Sequence, residues 1–466
     1  MTALDNGGWS RFDGATRGDR PRIALEHSME YVAPSSAATG PSAARTPRMA
    51  LAVVTTIFFM WGFLTCLNDI LIPHLKAVFE LTWVQAMLVQ FTFFGAYFLM
   101  SLPAGRLVVA LGYKKGIVAG LAIAGVGALL FWPAAGLHSY PLFLGALFVL
   151  ATGITVLQVA ANPYVALLGP ERTSHSRLTL AQSMNSLGTT IAPLFGGMLI
   201  LAAAPRTASE LAVMPAAEAI AYRAQEAQSV QGPYLGLALA LFVLAAVVMA
   251  FRLPAIRGVE DAAHDSRFSI GDALRHRHVR FGVLAIFFYV GAEVSIGSVL
   301  VNYLSMPHIG QGLTEQQATG YVSLYWGGAL VGRLVGSALL ARIDPRKLLG
   351  LFALVAMAML GVTMVSSGDL AKWSVVSIGL FNSIMFPTIF ALGIERLGPL
   401  TGKASSLLVM AIVGGAIIPL AMGWVADGYG LQYAFVLPLL CYGFIVFYAL
   451  RGSRVDHVAP PPVALA

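Results

Sequence analysis

Two carboxylates in this sequence stand where a carboxylate is expensive. Asp69, in Cys66-Leu67-Asn68-Asp69-Ile70, and Glu293, in Tyr289-Val290-Gly291-Ala292-Glu293-Val294, are each embedded in a long apolar stretch. A charged side chain at the centre of a bilayer costs about 2.5 to 3.5 kcal/mol on insertion scales, so each needs a partner, a water-filled cavity or a neutralising proton. A carboxyl group there can take up a proton, accept hydrogen bonds from hydroxyls, or offer oxygen to a hard cation. Glu293 falls near the middle of its stretch, whereas Asp69 lies about 9 Å to one side of the midplane, close to Pro73. The alternatives are an interfacial residue beside a proline kink for Asp69, and an interhelical hydrogen-bond or ion-pair partner for Glu293.

Uncharged polar groups gather around them. Thr155, Gln158 and Asn162 recur at three- and four-residue spacing and share one helix face; Gln182, Asn185 and Thr189 do the same on the next helix. Each amide offers donors and an acceptor, which suits a polyhydroxylated ligand, and an aromatic such as Trp61 offers a face for apolar C–H surface. Helix–helix hydrogen bonding is the competing use of the same residues. None of the nine histidines lies mid-segment, and no metal-ligand spacing, phosphate loop or nucleophile elbow is present, so neither an enzyme nor a metal or cofactor site is expected.

The elements that must hold these groups are transmembrane helices. The 466 residues are 58% hydrophobic and 11% charged, against roughly 25% charged in a soluble domain. The apolar runs are continuous, which excludes the alternating pattern of an outer-membrane barrel. They span about 49–78, 82–106, 114–134, 140–168, 177–204, 232–254, 279–306, 315–341, 347–366, 371–397, 402–425 and 431–451, which predicts twelve helices. Residues 1–48 read as a disordered cytoplasmic tail without a cleaved signal peptide. They precede a six-helix bundle over 49–254, a basic linker over 255–278, a second six-helix bundle over 279–451, and a short tail over 452–466. The two cysteines, Cys66 and Cys441, lie within apolar segments, so no disulfide framework is expected.

The basic residues fall mostly on one set of loops, which by the positive-inside rule puts both termini in the cytoplasm; the net charge of +7 reflects that bias, and no aromatic-interleaved basic run favours nucleic acid. Arg106, Lys114 and Lys115, mirrored by Arg333, Arg346 and Lys347, are candidates for a cytoplasmic gate. The halves echo each other. Asn162-Pro163-Tyr164 with Gly169-Pro170-Glu171-Arg172 corresponds to Phe386-Pro387-Thr388 with Gly393-Ile394-Glu395-Arg396, and Gly105-Arg106 to Gly332-Arg333. Parallel six-helix repeats are the architecture of the major facilitator superfamily, which binds substrate between the halves near the midplane.

Phe58-Phe59-Met60-Trp61 followed by Leu67-Asn68-Asp69-Ile70-Leu71-Ile72-Pro73 resembles the fucose:proton symporter family of that superfamily. Ala160-Ala161-Asn162-Pro163, Leu180-Ala181-Gln182-Ser183-Met184-Asn185 and Phe386-Pro387-Thr388-Ile389-Phe390 carry the likeness through most of the membrane region. The resemblance implies sugar uptake with Asp69 as protonatable coupling group. Gln158 replaces a glutamate of the fucose branch and Glu293 replaces an amide, which is more similar to the glucose/galactose branch. A hexose is therefore expected as substrate, with L-fucose, N-acetylglucosamine or mannose as alternatives. The candidate sugar-binding residues are Trp61, Asn68, Gln158, Asn162, Gln182, Asn185 and Glu293, and the candidate coupling residues are Asp69 and Glu293. The expected partners are the sugar, a proton with sodium as the alternative cation, and the lipid of a bacterial inner membrane, for a monomeric carrier. Gly188-Thr189-Thr190-Ile191-Ala192-Pro193 partly resembles a drug-antiporter motif, but Gly415-Ala416-Ile417-Ile418-Pro419 repeats it in the other half, as expected for small-residue packing.

Overall fold

The apolar segments fold as helices, and the glycines, prolines and capping residues between them set where each one turns. The computed structural model describes residues 48–79, 83–199, 230–254, 269–313 and 315–455, with isolated positions between 213 and 228. The side chains of 67–78, 83–87, 193–199, 315, 316 and 319 lie outside what is described. So do most of the two expected tails and the linker over 255–268.

The N-terminal group comprises α1 (Arg48–Val78), α2 (Trp83–Gly136), α3 (Tyr140–Leu167), α4 (Ser174–Leu199) and α5 (Gln231–Ala250). Within the 54 residues of α2 the chain folds back at Gly112, whose φ of 78° is open to glycine and strained for most other residues. One continuous helix by hydrogen bonding is thus two crossings, matching the segments predicted at 82–106 and 114–134. The Ser139 hydroxyl caps α3 by accepting from the Leu142 amide, with Pro141 in the first turn where a missing N–H is harmless.

The C-terminal group comprises α6 (Arg277–Leu304), α7 (Glu315–Leu340), α8 (Pro345–Val365), α9 (Gly368–Asn382), α10 (Met385–Gly393), α11 (Thr401–Met410), α12 (Gly414–Tyr429) and α13 (Val436–Phe447). Asp344 starts α8 by accepting from the amides of Arg346 (2.9 Å) and Lys347 (3.1 Å). Two segments that read as unbroken are interrupted. The tenth breaks between α9 and α10, because Pro387 has no N–H for the carbonyl of Ser383 and its ring crowds that oxygen. The eleventh passes from α11 to α12 through a tighter turn at Ala411–Val413. Among the described residues nine helices are long and apolar enough to cross a membrane. The fold-back in α2 and the less apolar α4 and α7 are consistent with the twelve crossings expected.

Each group packs mainly on itself, α2 against α3 and α5, α1 against α4, α6 against α12 and α13, and α8 against α9 and α13. Between groups, α4 lies along α7 and α10, and α11 lies along α2 and α3. At one of these seams a Cβ on Gly105 would meet the Ser406 side chain. The loops carrying most of the basic residues collect at one end of the bundle, here called the basic end. There Lys114 Nζ donates to the Met249 carbonyl (2.7 Å), the Tyr164 hydroxyl donates to the Pro254 carbonyl (3.0 Å), and Arg346 meets both Glu395 and the Ser453 carbonyl.

Gly332 sets how closely α7 approaches α9. A Cβ there would stand 2.4 Å from the Leu380 carbonyl oxygen and 2.5 Å from the Ser383 hydroxyl. Gly361 on α8 faces open space. Gly332→Ala is therefore expected to lower the melting temperature of the detergent-solubilised protein, at a cost of about 1 to 3 kcal/mol for overpacking. Gly361→Ala is expected to be neutral or stabilising through its helix propensity, worth up to about 1 kcal/mol. Thermal unfolding of both variants checks the contrast.

Candidate functional site

The polar residues of the N-terminal group converge where α3 faces α4 and α4 faces α1. Gln158 and Asn162 are one turn apart on α3 and buried, and Gln182 on α4 is buried opposite them. Gln182 Nε2 donates to Asn162 Oδ1 at 3.4 Å, and Gln158 Nε2 donates to the Tyr97 hydroxyl of α2 at 2.8 Å. Asn185 Nδ2 donates to the Phe58 carbonyl of α1 (3.2 Å), and the Trp61 ring packs on Phe58 with 4.6 Å between centroids. The flanking hydroxyls turn back on their own helices, Thr155 to the Ala151 carbonyl and Thr189 to the Ser186 carbonyl.

These amides are left half satisfied. Gln158 Oε1 and Asn162 Nδ2 are shielded from solvent and have no hydrogen-bond partner among the described residues. One is an acceptor and the other a donor, on successive turns of one face. Leaving such a group buried and unpaired costs about 1 to 3 kcal/mol, so a pair of opposite sense fits a ligand hydroxyl that both donates and accepts.

The C-terminal group contributes a second network, built on Asn382 at the end of α9. Tyr442 donates to Asn382 Oδ1 (2.6 Å), Asn382 Nδ2 donates to the Tyr325 hydroxyl (2.8 Å), and Tyr289 donates to the Asn382 carbonyl (3.0 Å). The Tyr325 hydroxyl also reaches the Glu293 carbonyl at 3.3 Å. The Glu293 side chain is half-buried on α6 and interacts with the Tyr289 hydroxyl and with the charge of Arg333. Sequence reading missed Tyr97, Tyr325, Asn382 and Tyr442. The available signal was Asn382 itself, an amide inside an apolar segment five residues before Pro387.

Asn68 and Asp69 belong to α1, but their side chains lie outside the described residues. Of the gate candidates, Arg333 crosses between groups: Nη1 donates to the Gln182 carbonyl (3.1 Å) and to the Ser186 hydroxyl of α4, and Nε donates to the Ser383 carbonyl (3.2 Å). Its sequence counterpart Arg106 is exposed. Lys114 and Arg346 bind partners within their own groups, and Lys115 and Lys347 are exposed. Further contacts between groups come from residues outside the prediction. The Ser176 and Ser337 hydroxyls lie 3.3 Å apart, and Arg396 pairs with Glu171 at 3.4 Å.

A cavity of about 630 Å³ opens at the basic end, lined by Glu171, Arg172, His175, Arg342, Arg346 and Glu395 among others. His175, just ahead of the fifth apolar segment, is buried there. Burial first, then the charges of Arg346 and Arg177 against the opposing Asp344, push its pKa down to about 4. Below about 6.5 the unfolded chain takes up a proton at this ring that the folded protein refuses. The contribution of His175 to stability is therefore complete above pH 6.5 and shrinks as pH falls toward 4. Melting measured across that range should show a steeper loss for the native protein than for His175→Gln.

Comparison with known proteins agrees with this architecture. Residues 49–412 match the family model described as Major Facilitator Superfamily. A glucose/galactose transporter of Brucella abortus is 52% identical over 416 residues, covering 89% of this chain and 97% of that protein. The L-fucose-proton symporter of Escherichia coli is 38% identical over 410 residues, covering 86% and 93%. The crystal structure of a fucose transporter in the outward conformation superposes with a TM-score of 0.81 at 38% identity, covering 87% of this chain and 99% of that one. The chain belongs to the major facilitator superfamily.

Proposed function

We propose that this protein is a secondary active transporter that takes up a hexose of the glucose or galactose type together with a proton, by alternating access between residues 49–254 and 279–451. The observation that carries the sugar assignment is the unpaired acceptor and donor on Gln158 and Asn162, buried on successive turns of α3 and joined through Gln182 to α4. Sugar hydroxyls are the chemistry that satisfies both, and Trp61 and Asn185 extend the same region toward α1. The Brucella relative is named for glucose and galactose, and the Escherichia coli relative for L-fucose and a proton.

In this reading the basic end faces the cytoplasm of a bacterial inner membrane, with both termini on that side. The polar contacts between groups at Ser176–Ser337, Glu171–Arg396 and Arg333 then close the inner side, which makes this the outward-facing arrangement. Asp69 carries the coupling proton, since neutralising a buried acid lowers the cost of passing through an occluded state. Glu293 binds sugar from the second group, and the carrier works as a monomer.

Three measurements test the assignment. Removing the side-chain amide in Asn162→Ala, Gln182→Ala or Asn185→Ala is expected to weaken hexose binding by about 0.5 to 1.5 kcal/mol for each neutral hydrogen bond lost. Unchanged affinity in all three folded variants would assign them to helix packing. In proteoliposomes, Asp69→Asn is expected to retain hexose exchange and lose accumulation against a gradient; undiminished concentrative uptake would remove Asp69 from the mechanism. A proton gradient alone is expected to drive native uptake, with Glu293→Gln losing sugar affinity more than coupling. Uptake that responds only to sodium, and loses that response in Glu293→Gln, would make Glu293 a cation ligand instead.

A further inference from the structure

The cavity at the basic end holds more positive charge than its own walls engage. Its volume of about 630 Å³ lies in the range of small-molecule sites. Its walls come from both groups: the end of α3 and the start of α4 on one side, the α7–α8 turn and the end of α10 on the other. The three acidic residues that line it are all engaged. Glu395 pairs with Arg346 at 2.5 Å, Glu171 pairs with Arg396 at 3.4 Å, and Asp344 accepts from the Arg346 and Lys347 amides at the start of α8. Arg172 and Arg342 are the two remaining cations. They line the cavity from opposite groups and have no hydrogen bond or ion pair among the described residues.

The same cavity is lined by His175, which is buried and whose ring nitrogens hydrogen-bond no described residue. Nδ1 is shielded from solvent, so Nε2 is the nitrogen available to a ligand. Burial and the nearby charges of Arg346 and Arg177 keep this ring neutral near pH 7, and a neutral imidazole serves a ligand hydroxyl rather than an anion. Two free guanidiniums fit the oxygens of a doubly charged phosphate, which the first turn of α4 also favours through its free amides. An anionic head and a hydroxyl-bearing body are therefore what the cavity can satisfy together.

We propose that this cavity is a regulatory site for a phosphorylated polyhydroxylated metabolite of the hexose monophosphate class, with Arg172 and Arg342 holding the phosphate from the two groups and His175 meeting a ligand hydroxyl. A ligand held by both groups is bound only while the basic end is closed, so it stabilises the outward-facing arrangement by mass action and slows uptake. Phosphoryl transfer to the imported hexose is the class of reaction that yields such a ligand, and its product then restrains further entry. This consequence rests on the transport reading, whereas binding can be measured without transport.

Thermal unfolding of the detergent-solubilised protein is followed with glucose 6-phosphate, with inorganic phosphate, or with neither, at matched ionic strength. Glucose 6-phosphate is expected to raise the melting temperature, and inorganic phosphate to raise it less at the same concentration. Arg172→Gln and Arg342→Gln, both at exposed positions, are each expected to raise the half-saturating concentration about tenfold, as for loss of a charged hydrogen bond. His175→Ala is expected to abolish the advantage of glucose 6-phosphate over inorganic phosphate, and Asn162→Ala to respond as the native protein does. No response to either phosphate, or a native response when both arginines are replaced, overturns the site. Loss of the response in Asn162→Ala instead places the ligand among the sugar amides and overturns it too. Stabilisation by added phosphatidylglycerol that the arginine substitutions remove, with no response to glucose 6-phosphate, makes a lipid headgroup the occupant and overturns the soluble ligand. In proteoliposomes, glucose 6-phosphate on the side of the basic end is expected to slow native hexose uptake several-fold and to leave Arg342→Gln unslowed; equal native rates with and without it overturn the regulatory role. Failure of hexose uptake in the native protein would overturn the transport reading and leave the binding curves unaffected.

Discussion

The carbonyl of Ser383, released from its helix by Pro387, is the point on which the middle of the molecule depends. A helix interior normally consumes every carbonyl, and α9 would have nothing to offer α7 if it ran on unbroken. The break supplies two free acceptors in sequence. The Asn382 carbonyl takes the Tyr289 hydroxyl of α6, and the Ser383 carbonyl takes Nε of Arg333. Once Nε is anchored, the planar guanidinium has a fixed direction, and Nη1 meets α4 rather than solvent. The close approach at Gly332 brings α7 near enough for this to happen. A proline on one helix and a glycine on another thus determine where a charge on a third contact bridges the two groups.

The two groups treat their buried amides differently, and the proposed sugar site falls on the side where they are incompletely paired. Asn382 has both ends of its side chain paired to tyrosines and its carbonyl paired to a third. A satisfied network of that kind rigidifies α6, α7, α9 and α13 as a unit and has nothing left for a ligand. Gln158 and Asn162 each keep one polar atom unpaired in a buried setting. A protein that needed only helix–helix hydrogen bonding would gain by pairing or replacing them, because an orphaned amide group costs more than the bond it replaces contributes. In the proposed reading that incompleteness is met by ligand hydroxyls, although buried hydroxyls such as Ser295, Thr388 and Ser405 are likewise without a partner among the described residues.

Much of the architecture was legible because bilayer and helix impose simple rules. Continuous apolar runs gave the crossings, the basic loops gathered at one end, and the three- and four-residue spacing on α3 and α4 put Asn162 and Gln182 in contact. What was not legible came from contacts between segments remote in sequence. The equivalence of Gly105-Arg106 and Gly332-Arg333 in the repeat suggested equivalent duties, yet Arg106 is exposed while Arg333 is buried across the interface; α3 runs unbroken through Pro163, whereas the helix facing Arg333 breaks ahead of Pro387. Nothing local to Tyr325 or Tyr442 marks it as a partner of Asn382. The side chain of Asp69 lies outside the described residues, so its role rests on sequence resemblance alone.

The repeated acidic and basic pairs at the basic end show how a two-fold sequence pattern supports a closure that can be undone. Glu395 and Arg346 form an ion pair inside the C-terminal group at 2.5 Å, partly shielded from water, and so hold α8 to the end of α10 in either arrangement of the groups. The equivalent Glu171 reaches instead to Arg396 of the other group, and both of those side chains are 64% exposed. An exposed pair of this kind contributes about 0.2 to 1 kcal/mol and is weakened further by salt. It can guide the groups together but cannot hold them. Hydrogen bonds between Ser176 and Ser337 add a comparable neutral increment. An alternating carrier requires two arrangements separated by only a few kcal/mol, because a ligand can shift their balance by no more than its differential affinity. A seam of weak exposed contacts around the buried Arg333, hydrogen-bonded to uncharged acceptors of both groups, meets that requirement, whereas a seam of buried ion pairs would lock.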